Sequence, residues 1–190
     1  VILTYASESA DAKRLPVRVE LSDQMQPLLS PTEGCEWLDY TCGIFYFWRI
    51  PDAYGDDYFN MRFTPESCCT LMTIEIVLTN AYPEFSNVSG QGIDIYVWTD
   101  DGTGLPGTVV LGPINVPGGS LVFYPSTVSV DVSSYNLVFC DDFHIGYTVV
   151  DQEQDNIAIL SDDGTCGELR SSEYYGGAWS LMFDDWGYDV

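Results

Sequence analysis

The sequence predicts an all-β fold, an antiparallel β-sandwich of jelly-roll type preceded by an extension strand, and three observations carry that expectation. Apolar and polar residues alternate at period two in stretch after stretch. Asp-Gly, Pro-Gly and Gly-Gly dipeptides separate those stretches as turns do. Lysine, which exposed helices use freely, occurs once, at Lys13.

Taken in order, Val17, Val19 and Leu21 share one face, with Arg18 and Glu20 opposite. Residues 1–21 therefore read as an N-terminal strand segment with one face that wants burial. Residues 22–42 lack periodicity and contain Pro27, Pro31, Gly34, Cys35 and Cys42. They read as a disulfide-stapled connector, and residues 43–190 as the β-sandwich domain. Ile44 to Ile50 is apolar on both faces, as a central or interface strand would be. Met72, Ile74, Ile76 and Leu78 share a face, as do Ile93, Ile95 and Val97 against Asp94, Tyr96 and Trp98. Val128, Val130 and Val132 alternate with Ser129 and Asp131, and Phe143, Ile145, Tyr147 and Val149 with His144, Gly146 and Thr148. About ten short strands at this spacing suit a sandwich or jelly roll.

At 190 residues and 46% hydrophobic composition the chain can bury one sizeable core, so disorder is excluded despite its charge. Six basic against 29 acidic residues give a net charge of −23. That field repels nucleic acid and anionic membrane and attracts divalent cations. Six cysteines without a Cys-x-x-Cys point to disulfides in an oxidising compartment rather than to zinc. The adjacent Cys68 and Cys69 are expected to pair outward. The expected set joins Cys140 to Cys166, with Cys35, Cys42, Cys68 and Cys69 pairing among themselves. A start at Val1 without a charged-then-apolar leader fits an extracellular or cell-surface protein whose signal peptide has been removed. No apolar run reaches transmembrane length.

From about residue 43 to 189 several motifs occur together: Phe63-Thr64-Pro65, Val97-Trp98-Thr99-Asp100-Asp101-Gly102 with Gly104-Leu105-Pro106-Gly107, Phe143-His144-Ile145-Gly146-Tyr147, Leu160-Ser161-Asp162-Asp163-Gly164, Arg170-Ser171-Ser172-Glu173-Tyr174-Tyr175 and Asp185-Trp186-Gly187. As a set they resemble a β-sandwich accessory domain recurrent in large secreted and cell-surface bacterial proteins. The resemblance implies a non-catalytic module and carries no settled activity or site residues. Residues 1–42 lie outside it. Relatives usually continue past Asp-Trp-Gly with one more apolar strand, so a missing last strand is expected here.

Five Asp-Asp pairs sit beside apolar runs, at residues 56–57, 100–101, 141–142, 162–163 and 184–185. Hard cations such as Ca²⁺ want clustered oxygens, and Asp100, Asp101, Asp162, Asp163, Asp184 and Asp185 are the candidate ligands. The plainer reading is that Asp and Gly simply build turns. His144, the sole histidine, stands on the strand face opposite Phe143, Ile145 and Tyr147 and is expected to be a hydrogen-bonding surface or second-layer residue, not a catalyst. No phosphate-cradling glycine loop is present. An enzyme is not expected.

Two functions from different classes follow. The first is a structural subunit of an extracellular filament or surface assembly. It would polymerise as Val17, Val19 and Leu21 add a strand to a neighbouring sandwich, with disulfides and Ca²⁺ as stabilisers. The second is a carbohydrate-binding accessory module. Tyr96 and Trp98 share a strand face, and Tyr174, Tyr175, Trp179 and Trp186 crowd the C-terminal quarter. Exposed rings stack on planar sugar faces, although core packing or a subunit contact would explain the same residues.

Overall fold

The computed structural model describes residues 38, 40, 46–49, 58–79, 90–123, 126–151, 158–161 and 168–186. Among these the chain is mostly β, with almost no helix. The strands are β1 (Tyr46–Arg49), β2 (Phe59–Phe63), β3 (Cys69–Thr70), β4 (Thr73–Ile76), β5 (Leu78–Thr79), β6 (Ile93–Asp100), β7 (Pro106–Val116), β8 (Val128–Asp131), β9 (Val138–Phe139), β10 (Phe143–Val149), β11 (Ala158–Ser161), β12 (Ser171–Tyr175) and β13 (Ala178–Leu181). A single helical turn and a half, α1 (Met182–Trp186), follows.

Six strands form the main sheet in the order β13-β12-β2-β10-β6-β7, with antiparallel neighbours throughout. Smaller ladders join β4 to β8 and β3 to β9, and β11 stands between β1 and β5. The apolar run at 44–50 thus becomes an edge strand within the described residues, not a central one.

Register sorts the main sheet into two faces. Ile93, Ile95 and Val97 on β6 lie opposite Val149, Tyr147 and Ile145 on β10, and Tyr147 in turn lies opposite Phe59 on β2. These residues face the core, where Phe59, Ile93, Ile95, Val97, Phe143, Tyr147 and Val149 cluster with Ile74, Leu78, Leu121, Val128, Val132 and Met182. The period-two reading placed the inward faces of β6, β8 and β10 correctly. On β4 the buried face starts at Ile74, and Met72 is half exposed. Packing also begins ahead of residue 43. Leu38 rests against the core, and Tyr40 donates its hydroxyl to the Thr64 carbonyl at 3.1 Å beneath the Arg170 guanidinium.

Cys68 pairs with Cys140, not Cys140 with Cys166. The cause is the β3–β9 register. Cys69 lies opposite Phe139, which brings the Cα atoms of Cys68 and Cys140 to 4.0 Å. Cys69 is half-buried, and Cys35, Cys42 and Cys166 lie outside the described residues. A disulfide fits the oxidising compartment expected from the cysteine count. No helix among the described residues is long and apolar enough to cross a membrane.

One core residue is held at a cost. The Tyr147 hydroxyl is buried without a hydrogen-bond partner, and burial pushes its ionisation upward so that the phenol stays neutral. An unpartnered buried hydroxyl costs about 1–3 kcal/mol. Tyr147→Phe is therefore expected to raise the unfolding free energy by about 1 kcal/mol, read from urea denaturation midpoints. A variant less stable than the parent would show that the hydroxyl is partnered in solution.

Candidate functional site

The sheet face turned away from the core carries the polar and aromatic half of each alternation. Asp94, Tyr96 and Trp98 of β6 stand opposite Thr148, Gly146 and His144 of β10. Asn60 of β2 comes next to Gly146, and Ser172 of β12 next to Asn60. Tyr174 pairs with Trp179 across the β12–β13 hairpin, and its amide donates to the Tyr58 carbonyl at 2.9 Å. Antiparallel pairing thus gathers rings that lie far apart in sequence.

Tyr58 is the hub. Its ring centroid is 5.2 Å from Tyr96, 6.0 Å from Trp98, 6.0 Å from Tyr174 and 6.2 Å from Trp179, and three of the four contacts are edge-on. Trp98 meets Trp179 edge-on at 5.5 Å and stacks on Tyr96 at 5.5 Å. These rings and Val109 of β7 line a cleft of about 180 Å³. Trp98 is almost fully buried yet belongs to this face rather than to the core cluster. Tyr58, Tyr96, Tyr174 and Trp179 are half-buried, and Val109 is exposed at the rim. Burial above all, then the Tyr58 phenol and its hydrogen bond, then the Asp94 charge, push the Tyr96 hydroxyl up to about 12. It is therefore a neutral hydrogen-bonding group at physiological pH.

A polar floor supports the rings from the same face. His144 is fully buried. Its Nε2 donates to Asp100 Oδ2 at 3.0 Å, and its Nδ1 sits 2.7 Å from Asn60 Oδ1. Asn60 Nδ2 in turn donates to the Ser172 hydroxyl at 2.6 Å. The chain of contacts ties β6, β10, β2 and β12 together. Gly146 allows it, because a Cβ there would fall 2.0 Å from the Phe59 carbonyl oxygen. Burial pushes the His144 imidazole down, against the pull of the Asp100 hydrogen bond and charge. The expectation of a second-layer histidine on this face holds, while a surface position does not.

The Asp100-Asp101 pair serves the loop in which it occurs. Asp100 Oδ1 accepts the amides of Gly102 and Gly104 at 2.6 and 3.4 Å. Asp101 Oδ1 accepts the Thr103 amide and hydroxyl, each at 2.7 Å, and the Leu105 amide at 3.4 Å. Both carboxyls are held below the usual carboxylate range, Asp101 chiefly by its bonds to Thr103. Asp184 and Asp185 lie exposed on α1, where Asp185 Oδ2 accepts the Ser180 hydroxyl at 2.5 Å. Asp162 and Asp163 lie outside the described residues. Among the described residues no three His, Cys, Asp or Glu side chains gather where they could hold a metal ion.

Of the proposed sugar-binding aromatics, Tyr96, Trp98, Tyr174 and Trp179 come together. Tyr175 points to the opposite face by strand parity and is exposed. Trp186 closes α1, and its side chain lies outside the described residues, as do Val17, Val19 and Leu21. Tyr58 and Val109 were not foreseen. The alternation of Tyr58, Asn60 and Arg62 against Phe59, Met61 and Phe63 is the signal that could have found Tyr58. The chain matches no family model, and neither a curated protein nor a solved structure matches it.

Proposed function

We propose that the chain is a carbohydrate-binding accessory module of a secreted or surface protein, with the aromatic cleft as its binding site. The observation that carries this reading is the convergence of Tyr96, Trp98, Tyr174 and Trp179, from three different strands, on Tyr58 around one cleft. Aromatic rings supply large contact area and tolerate the apolar faces of sugars. Pockets for whole small molecules run to about 300–1,000 Å³. At about 180 Å³ the cleft suits one ring or substituent of a longer chain.

In this reading the architecture is a two-layer sandwich. The supporting observation is that Ile74 and Val128 of the β4–β8 ladder share one core cluster with Phe59, Ile95 and Phe143 of the main sheet. A sandwich of the resembled accessory type would offer the outer sheet face for recognition while its inner face holds the fold. Assembly through residues 1–21 concerns a segment outside the described residues, and deleting that segment tests it separately.

Retention of the protein on immobilised polysaccharides, compared with Trp179→Ala, tests the proposal. The parent is expected to be retained on at least one polysaccharide and the variant, with unchanged charge and fold, to wash through. A parent that passes through every polysaccharide, or a variant retained equally, would refute it.

A further inference from the structure

We infer that the cleft prefers a glycan unit bearing a free amine, an ammonium sugar such as glucosamine, over its neutral or acidic counterparts. The inference rests on the carbohydrate reading above and names the chemistry of its ligand.

The arrangement of rings is the first argument. Tyr58 stands at 82° to Tyr96, 87° to Trp98 and 78° to Tyr174, and Trp98 stands at 81° to Trp179. Neutral sugars favour one flat platform. Here Tyr58, Tyr96, Tyr174 and Trp179, all half-buried, instead border one small cleft, which brings several π systems within reach of one small group, the arrangement that attracts a cation. The cleft volume admits one such group and not a whole oligosaccharide.

Charge is the second argument. The chain carries 29 acidic and 6 basic residues. Arg62 lies 3.6 Å from Asp142 in an ion pair, and Arg170 is paired with Glu168 and laid over Tyr40. Neither arginine lines the cleft, so no described cation competes for the rings. Asp94 shares the strand face of Tyr96 and Trp98 and accepts the Asn115 amide at 2.8 Å. Its charge reaches Tyr96, one of the rings that line the cleft. A uronic or sulfated sugar would meet this field unfavourably, and an ammonium sugar favourably.

Titration calorimetry of the full chain separates the possibilities. The probes are a β-linked glucosamine oligosaccharide, its fully N-acetylated counterpart, a glucose oligosaccharide of the same linkage, and tetramethylammonium. The measurements are made at low salt and at a pH that keeps the amine protonated. The glucosamine chain is expected to bind at least about tenfold more tightly than either neutral chain, a difference of about 1.4 kcal/mol. The preference should shrink at about 1 M salt, where charges are screened within about 3 Å.

Trp179→Ala and Tyr174→Leu leave the net charge intact and should each abolish the preference, read by the same titration and by tryptophan fluorescence. Equal affinity for amine and neutral chains would overturn the inference and leave the carbohydrate reading standing. Binding of tetramethylammonium but of no glycan, or of nothing, would overturn both. Undiminished glucosamine binding by both variants would reduce the effect to bulk charge and overturn the inference.

Discussion

Replacing Cys68 and Cys140 together by alanine is expected to lower the unfolding free energy by about 4 kcal/mol. The disulfide closes a separation of 72 residues, so most of its effect comes from restricting the unfolded chain. The folded side gives little independent support. The ladder that the bond anchors is two residues long on each strand, and Val138 of β9 is 61% exposed. A two-stranded ladder of that length does not hold itself in water. Beyond it stand the Leu71 amide, which donates to the Leu137 carbonyl at 2.9 Å, and Phe139, stacked on Phe143 at 4.2 Å. Urea denaturation of the double variant against the oxidised parent reads the loss. A change below about 1 kcal/mol would show that the Phe139 contact, not the covalent bond, fixes β9. Peptide mapping without reductant should recover a fragment joining Cys68 to Cys140.

The same bond shows what a sequence can and cannot announce. Strand faces are local, because side chains alternate with period two, and so β6, β8 and β10 were readable from Ile93-Ile95-Val97, Val128-Val130 and Phe143-Ile145-Tyr147. Disulfide pairing is set by which strands become neighbours, and β3 meets β9 across some seventy residues of chain. Nothing in the spacing of the cysteines encodes that meeting. The cleft falls between these cases. Tyr96 and Trp98 were legible as a pair on one strand face, and Tyr174 and Trp179 only as members of an aromatic-rich C-terminal quarter. Their convergence depends on β2 lying between β12 and β10, and so on Tyr58, which the composition of its neighbourhood did not single out. At Asp100 and Asp101 the plainer reading of an acidic pair is the one seen, since each carboxylate is engaged by its own loop amides.

His144→Leu is expected to cost about 3 kcal/mol, because it strands two buried polar partners at once. Asn60 Oδ1 loses its contact in the sheet interior, and Asp100 loses the donor that holds its second oxygen. Leaving a buried polar group without its partner costs about 1–3 kcal/mol. The lower end applies at Asp100, whose side chain is 14% exposed and keeps the Gly102 and Gly104 amides. His144→Gln, which can still donate toward Asp100, should recover about 1 kcal/mol of the loss. The pH profile gives a second readout. Burial pushes His144 down. Burial also pushes Asp100 up, but the His144 hydrogen bond and the loop amides outweigh it and hold the carboxyl below its usual range. A depressed folded value makes each group stabilising above its ordinary pKa, with that stability lost as pH falls through the folded one. The parent should therefore begin to lose stability below about pH 6.5, the ordinary histidine value, and again near the carboxylates at about 3.9. In His144→Leu the first of these losses should vanish while the second remains. A variant whose acid limb overlays that of the parent would show that His144 titrates alike in the folded and unfolded chain, and that the floor of the cleft is held by packing instead.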